Sequence, residues 1–325
     1  MSSPLINLSD APYTAMQMAV DIVSQSAHPT SKVAATVFGS DHQKEPFYVA
    51  RTNYYPAAFI DVVPIDEKIG NSSPTVHAET AALMNVPVAE GASICVTDLF
   101  CPNCAKNITE AGIHSVYIDH KGYEKDFAAR RIADFESMSI ALCKRAGVNV
   151  YKIFRKEKRM ETIHKVSDDF ILKVDSPVQI EDVAALSEAV LDNVVKRYAE
   201  KHKNRKFVAA LALSPDGECK AIIARAHPAI GYIMREDRAL MEKQSGKYNF
   251  MLEPMNRLLM NAARYGLHIQ NGYVFSAQVP TSREQVNMLG AGINEYRIGN
   301  IHKARDNYGL LALEYLTGAG MFAIK

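Results

Sequence analysis

Short strings from the first half of the chain return in the second half, in the same order and at nearly constant distance. Val33-Ala34-Ala35 comes back as Val208-Ala209-Ala210, and Ala50-Arg51 as Ala224-Arg225. Leu83-Met84-Asn85 returns as Leu259-Met260-Asn261, and Ala111-Gly112-Ile113 as Ala291-Gly292-Ile293. Ala146-Gly147, ahead of the last strand signal of the first half, returns as Ala319-Gly320 ahead of the last strand signal of the chain. The shift stays between 173 and 180 residues. Ordered self-similarity at a domain-sized period constrains the chain to one folding unit used twice.

Apolar spacing gives the elements of that unit. A helix is expected over 10–27, then a strand at 33–38, a polar turn at 39–45 and a return strand at 47–51. An irregular stretch, 53–74, carries Pro56, Pro64 and Pro74. A helix starting near Thr75 or Val76 follows, then strand 93–97, helix 103–111, strand 114–119, helix 124–146 and strand 148–153. A hairpin followed by alternating helices and strands predicts an α/β fold: one mixed sheet flanked by helices, here duplicated in tandem. The charged stretch 155–169 is the expected boundary, between domains at 1–157 and 165–325.

Bulk properties exclude several roles. A net charge of +1 gives no strong field for nucleic acid or an anionic membrane. No apolar run reaches membrane-spanning length, and Met1-Ser2-Ser3-Pro4 does not open a signal peptide, so a cytoplasmic location is expected. Five cysteines, an odd and sparse set, do not form a disulfide framework.

The chemistry concentrates in two short motifs. His77-Ala78-Glu79 opens one expected helix, and Cys101-Pro102-Asn103-Cys104 opens the next. One His and two Cys meet the ligand count of a catalytic zinc site, which keeps a fourth position for water. Thiols at helix N-termini lose their protons readily. Glu79, two residues from His77, suits a proton shuttle better than a fourth ligand. Alone, Cys-x-x-Cys also fits a redox pair, half of a structural zinc site, or two buried thiols. The absence of a second Cys-x-x-Cys argues against a structural site, and a redox pair predicts a reversible Cys101–Cys104 disulfide.

His-x-Glu followed by Cys-x-x-Cys resembles the zinc nucleobase deaminases. Residues 10–155 look like the cytidine and deoxycytidylate deaminase superfamily. Cys104-Ala105-Lys106, Ala111-Gly112-Ile113, Ala128-Ala129-Arg130-Arg131 and Ala146-Gly147-Val148 are most similar to its deoxycytidylate branch. The resemblance implies a cytidine-deaminase-like fold and Zn2+ held by His77, Cys101 and Cys104. It also implies a zinc-activated water as nucleophile, Glu79 as base and acid, and Asn53 and Ala78 as substrate contacts. The implied substrate is a cytosine-type base in a free nucleotide or nucleoside of the dCMP, CMP or cytidine class. Adenine, guanine or a base in RNA is the alternative within the same chemistry; a non-catalytic zinc-holding protein is the alternative outside it. Small-molecule partners are expected, with no nucleic acid and no membrane, and assembly as a homo-oligomer or an internal pseudo-dimer. One departure stands out. The family places proline directly before the first cysteine, where this chain has Phe100.

The repeat also predicts what the second half lacks. Its alignment sets Glu253 against His77, Met255 against Glu79, Thr281 against Cys101, Glu284 against Cys104 and His227 against Asn53. No metal ligand and no proton shuttle remains, so residues 165–325 are expected to form a pseudo-deaminase domain without zinc.

Overall fold

The structure is a computed structural model, and it describes residues 10–56, 69–70, 74–124, 138–174, 178–201, 206–241 and 248–325. Contacts divide these residues into two compact units. The first holds the described residues up to Tyr54 together with His77–Leu172. The second holds those of Tyr55–Val76 together with Lys173–Lys325.

In the first unit, β1 (Ala34–Ser40) and β2 (Pro46–Thr52) form an antiparallel hairpin. Its turn is local chemistry. The Asp41 carboxylate accepts from the amides of Gln43 (2.8 Å) and Glu45 (2.9 Å), and Lys44 takes the left-handed conformation, φ 69°. Strands β3 (Ser93–Val96), β4 (Ser115–Asp119), β5 (Asn149–Phe154) and β6 (Arg159–His164) complete a six-stranded sheet in the order β2-β1-β3-β4-β5-β6. β1 meets β3 antiparallel, β3, β4 and β5 run parallel, and β6 returns antiparallel. Helix α1 (Ala11–Ile22) packs Ala15 and Met16 against Phe38, Cys95 and Ile153. Val37 and Ile94, next in line along the same strands, face the other way and are also fully buried, so the sheet is covered on both faces.

Between these strands lie α2 (Ala78–Leu83), α3 (Pro102–Glu110), α4 (His120–Tyr123) and α5 (138–146). The single helix expected over 124–146 is therefore realised at its C-terminal end, after a separate short turn capped by Asp119. Its span 125–137 lies outside the described residues, as does most of the irregular stretch 53–74.

The charged boundary segment 155–169 departs from expectation, because Arg159–His164 is strand β6. Its charges are paired along an exposed sheet edge: Arg159 with Glu157 and Glu161, and Lys152 of β5 with Glu161 at 2.7 Å. Paired charge on an edge strand deters edge-to-edge association, and its composition resembles a linker's.

The second unit contains β7 (Gln179–Asp182), α6 (Glu188–Lys201), β8 (Phe207–Leu213), β9 (Cys219–Arg225), the short β10 (His227–Pro228), α7 (Arg238–Met241) and β11 (Met251–Leu252). It continues with α8 (Pro254–Tyr265), β12 (His268–Ser276), α9 (Ser282–Gly290), β13 (Glu295–Ile298), α10 (Gly309–Gly318) and β14 (Ala323–Ile324). Its main sheet has the order β14-β13-β12-β8-β9-β7. β8 pairs antiparallel with β9 and β12, while β12, β13 and β14 run parallel. Those are the pairings of β1 with β2 and β3, and of β3, β4 and β5. Leu191, Val194 and Tyr198 of α6 pack on Phe207, Leu211 and Ile223, in the way α1 packs on the first sheet. The structure is thus a mixed α/β protein with two six-stranded sheets flanked by helices. Among the described residues, no helix is long and apolar enough to cross a membrane.

Candidate metal centre

The two motifs occupy equivalent places at the starts of neighbouring helices. His77 is the N-cap of α2 in extended conformation (φ −69°, ψ 146°), and Cys101 is the N-cap of α3 (φ −76°, ψ 163°), with Pro102 fitting the first helical position. Neither side chain caps its own helix. Cys104 stands three residues after Cys101, the spacing that brings N-cap and third-position side chains together on one helix.

His77 Nδ1 lies 3.2 Å from Cys104 Sγ and 3.6 Å from Cys101 Sγ, and the two sulfurs are 3.6 Å apart. A tetrahedral ion with metal–sulfur bonds of about 2.3 Å and a metal–nitrogen bond of about 2.0 Å would separate its ligands by roughly 3.5–3.8 Å. The donor set fits zinc, with the two 3.6 Å separations inside that range and the 3.2 Å separation short of it. Among the described residues, this is the one group of three or more His, Cys, Asp and Glu side chains so gathered. Three donors leave one position open, the arrangement of a catalytic rather than a structural site. A hydrogen bond with Cys104, opposed by burial and reinforced by His77, holds the Cys101 thiol well below its usual range.

Glu79 sits in the first turn of α2 and is buried at 4% exposure. Burial raises its carboxyl above the usual range, while His77 and a hydrogen bond with Cys104 pull the other way. The carboxyl group thus lies against the donor cluster without belonging to it. Ala78, fully buried, separates ligand from carboxylate. The two helices are tied behind the cluster by a buried hydrogen bond, Asn107 Nδ2 to Thr80 Oγ1 at 3.0 Å.

Phe100 is buried beside the cluster, and its carbonyl accepts from Ser139 Oγ of α5 at 3.0 Å. Asn53, one residue past β2, is buried and heavily used. Its Oδ1 accepts from Ser26 Oγ (2.6 Å) and Val33 N (3.0 Å), and its Nδ2 donates to Ser31 O (2.8 Å). These bonds pin the loop from Ser26 to Val33, and that loop carries a residue the sequence reading passed over. Burial, then the charge of His77, lowers the pKa of His28. Its Nδ1 accepts from Ser31 N at 2.9 Å, so the neutral ring carries its proton on Nε2. A histidine in a loop between α1 and β1 was the available signal, since loops on a rigid scaffold carry function.

Among the described residues, several other histidines and cysteines lie outside the cluster. His120 stacks on Phe154, and His114 approaches Asn149. Cys95 donates to Pro12 O within the α1 core, and burial pushes the Cys143 thiol up to about 12.

Residues 10–120 match the family described as the cytidine and deoxycytidylate deaminase zinc-binding region. An uncharacterized deaminase from the luxG 3' region of Aliivibrio fischeri is 33% identical over 115 residues, spanning 35% of this chain and 74% of that protein. The chain belongs to the cytidine and deoxycytidylate deaminase family, and that membership marks it as a deaminase. Solved structures of dCMP deaminase from cyanophage S-TIM5 are also similar. The apo form is 20% identical with a TM-score of 0.31, and the complex with dCMP and dUMP is 21% identical with a TM-score of 0.33. Each covers 47% of this chain and 100% of the phage chain.

Proposed function

We propose that this chain is a zinc-dependent hydrolytic deaminase acting on a cytosine-type base in a free nucleotide or nucleoside. The observation that carries the proposal is a buried carboxyl group, Glu79, set against a cluster of three donors. His77 Nδ1, Cys101 Sγ and Cys104 Sγ hold the metal. Bound zinc makes a water molecule acidic enough to lose a proton near neutral pH. Glu79 would accept that proton and deliver it to the ring nitrogen as the water oxygen bonds to the carbon bearing the amino group; it would then take the proton of the new hydroxyl and pass it to the amino group, whose C–N bond breaks to release ammonia. Cys104 and Glu79 are buried while His77 and Cys101 are half-buried, so the cluster is reachable from one side with the carboxyl group on its sheltered side. Asn53 and Ala78 contact the base; Asn53 has a second Nδ2 hydrogen to offer beyond its bond to Ser31. A free nucleotide or nucleoside, rather than a polynucleotide, is supported by the near-zero net charge.

We also propose that the second unit is a degenerate copy of the first. Matching strand pairings support it, and so do matching details. Glu253 and Thr281 are the N-caps of α8 and α9, as His77 and Cys101 are of α2 and α3. Asn287 Nδ2 donates to Asn256 Oδ1 across α9 and α8, as Asn107 does to Thr80 across α3 and α2. Asn261 donates to Arg257 O and Asn85 to Ala81 O, at the same distance in sequence from the two N-caps.

Ammonia release by zinc-loaded protein, measured over dCMP, CMP, cytidine, cytosine, adenosine and guanine, tests the function. We expect turnover of a cytosine-bearing nucleotide or nucleoside, and a loss of about 100-fold or more in Glu79→Gln with one zinc still bound per chain. Turnover of a purine alone would overturn the substrate class. Stoichiometric zinc with no turnover of any substrate would leave a zinc-holding binding protein.

A further inference from the structure

Both thiols of the donor cluster belong to one helix start. Cys101 is the extended N-cap of α3, Pro102 and Asn103 fill its first two positions, and Cys104 is the third. The amide of Ala105 donates to Cys101 O at 2.9 Å, so the turn that carries both cysteines is closed. Helix geometry then sets their Cα atoms roughly 5 Å apart, inside the range of about 4.4–6.8 Å that a disulfide spans. The two sulfurs stand 3.6 Å apart. Bringing them to a disulfide bond length of about 2.05 Å needs a shift of roughly 1.5 Å, which side-chain rotation supplies.

Access divides the pair. Cys101 is half-buried, whereas Cys104 is buried at 1% exposure. An oxidant can reach the first sulfur, and the second lies close enough to resolve the product. The remaining cysteines lack one of these two properties. Cys95 and Cys143 are fully buried, and Cys219, half-buried in β9, is the one cysteine of the second unit.

We propose that Cys101 and Cys104 are a site of reversible oxidation by hydroperoxides. Cys101 Sγ attacks one oxygen of the O–O bond, which breaks. Cys101 becomes a sulfenic acid, and the rest of the hydroperoxide leaves as an alcohol, or as water where the oxidant is hydrogen peroxide. Cys104 Sγ then displaces the new hydroxyl group, forming the S–S bond and releasing water. Over both steps, two thiols and one hydroperoxide give one disulfide, one alcohol and one water; the sulfurs lose the two electrons that the O–O bond takes up. Of the three donors only His77 is then left, and a zinc site needs its thiolates. Oxidation therefore releases the metal, and reduction by a thiol restores the site. The release rests on the reading of the cluster as a zinc centre; the dithiol chemistry stands without it.

The test treats the full chain, zinc-loaded and zinc-free, with hydrogen peroxide. Thiols are counted in denaturant, released zinc is followed with a chromophoric chelator, and cross-links are located by mass spectrometry of unreduced peptides. The zinc-loaded chain should release about one zinc. Of its five thiols it should lose the two of Cys101 and Cys104, found together in one cross-linked peptide. Dithiothreitol should restore both thiols and zinc uptake, and Cys219→Ser should respond as the wild type does. The proposal is overturned if all five thiols survive, if Cys101 passes to sulfinic acid without a disulfide, or if the link joins another pair. A disulfide confined to the zinc-free chain, or one that forms while zinc stays bound, overturns the release of metal by oxidation. A wild-type chain that binds no zinc would instead overturn the metal centre, and the thiol count of the zinc-free protein would still decide the dithiol.

Discussion

Gly122, in the short helix α4, is a place where one added methyl group has a calculable cost. A Cβ built there would stand 2.1 Å from the carbonyl oxygen of Thr97 and 2.7 Å from Cα of Asp98. Ordinary carbon–oxygen contacts begin at about 3.3 Å, so the two backbones must part by roughly 1 Å. Thr97 resists, because its amide donates to Ala34 O and its Oγ1 accepts from Ala34 N, both at 2.9 Å. On the other side, Asp119 caps α4 through Lys121 N at 2.8 Å. Relief therefore breaks at least one buried hydrogen bond, and overpacking adds to that, for about 2–4 kcal/mol in Gly122→Ala. In a unit of about 150 residues this lowers Tm by roughly 6–12 °C. Gly91→Ala is the control. It has φ +74° and nothing within 4 Å, so it meets backbone strain alone, about 1 kcal/mol. Differential scanning calorimetry of both variants checks the ranking. A Gly122→Ala protein melting no lower than Gly91→Ala would refute the steric reasoning. The displaced segment runs from Thr97 to Cys101, so zinc should also leave Gly122→Ala faster than wild type.

Two further outcomes follow from buried polar groups. Thr80→Val removes the acceptor for Asn107 Nδ2 and should cost about 1–3 kcal/mol in urea unfolding, whereas Thr80→Val with Asn107→Leu should cost less than the sum of the single changes; strict additivity would show that the bond carries no coupling. In the second unit, burial and the Glu253 carboxylate push Glu284 up to about 7, above its ordinary value of 4.5. The stability contributed by the protonated group is present below about pH 4.5 and is lost as pH rises through 7, at most about 3 kcal/mol. Melting of the wild type should therefore decline relative to Glu284→Gln between pH 5 and pH 8, and parallel curves across that range would refute the assignment.

The parts of this molecule that were legible in the sequence are those set by local signals. Short apolar runs on either side of a polar turn marked the hairpin of β1 and β2, and the N-cap positions of His77 and Cys101 follow from the residues that open α2 and α3. The cluster was legible because Cys101 and Cys104 share one helix start and His77-Ala78-Glu79 opens another. What lay hidden was long-range. Charge density disguised β6 as a linker, since pairing with Lys152 is invisible until β5 lies alongside. The identity of Asn53 suggested a ligand contact, yet three of its hydrogen-bonding positions are spent on Ser26, Ser31 and Val33, residues 20 or more positions away. Thr75 gave no hint of its bond to Arg283, 208 residues further along.

The two units meet one physical problem in opposite ways. A helix start leaves backbone amides without partners, and a capping side chain ordinarily serves them at a gain of about 1 kcal/mol. In the first unit that gain is forgone at both helices: His77 and Cys101 occupy the capping positions, and their donor atoms face one another instead. In the second unit Thr281 caps α9, Glu284 reaches across to the amides that open α8, and Glu253 is paired with Arg305. Hydrogen bonds there join the same two helix starts that an ion would join in the first unit. The starts of α2 and α3 thus go without side-chain caps, and their N-cap side chains are left to the donor cluster. That favours a centre kept for chemistry over one kept for stability, because the second unit links its two helix starts by hydrogen bonds.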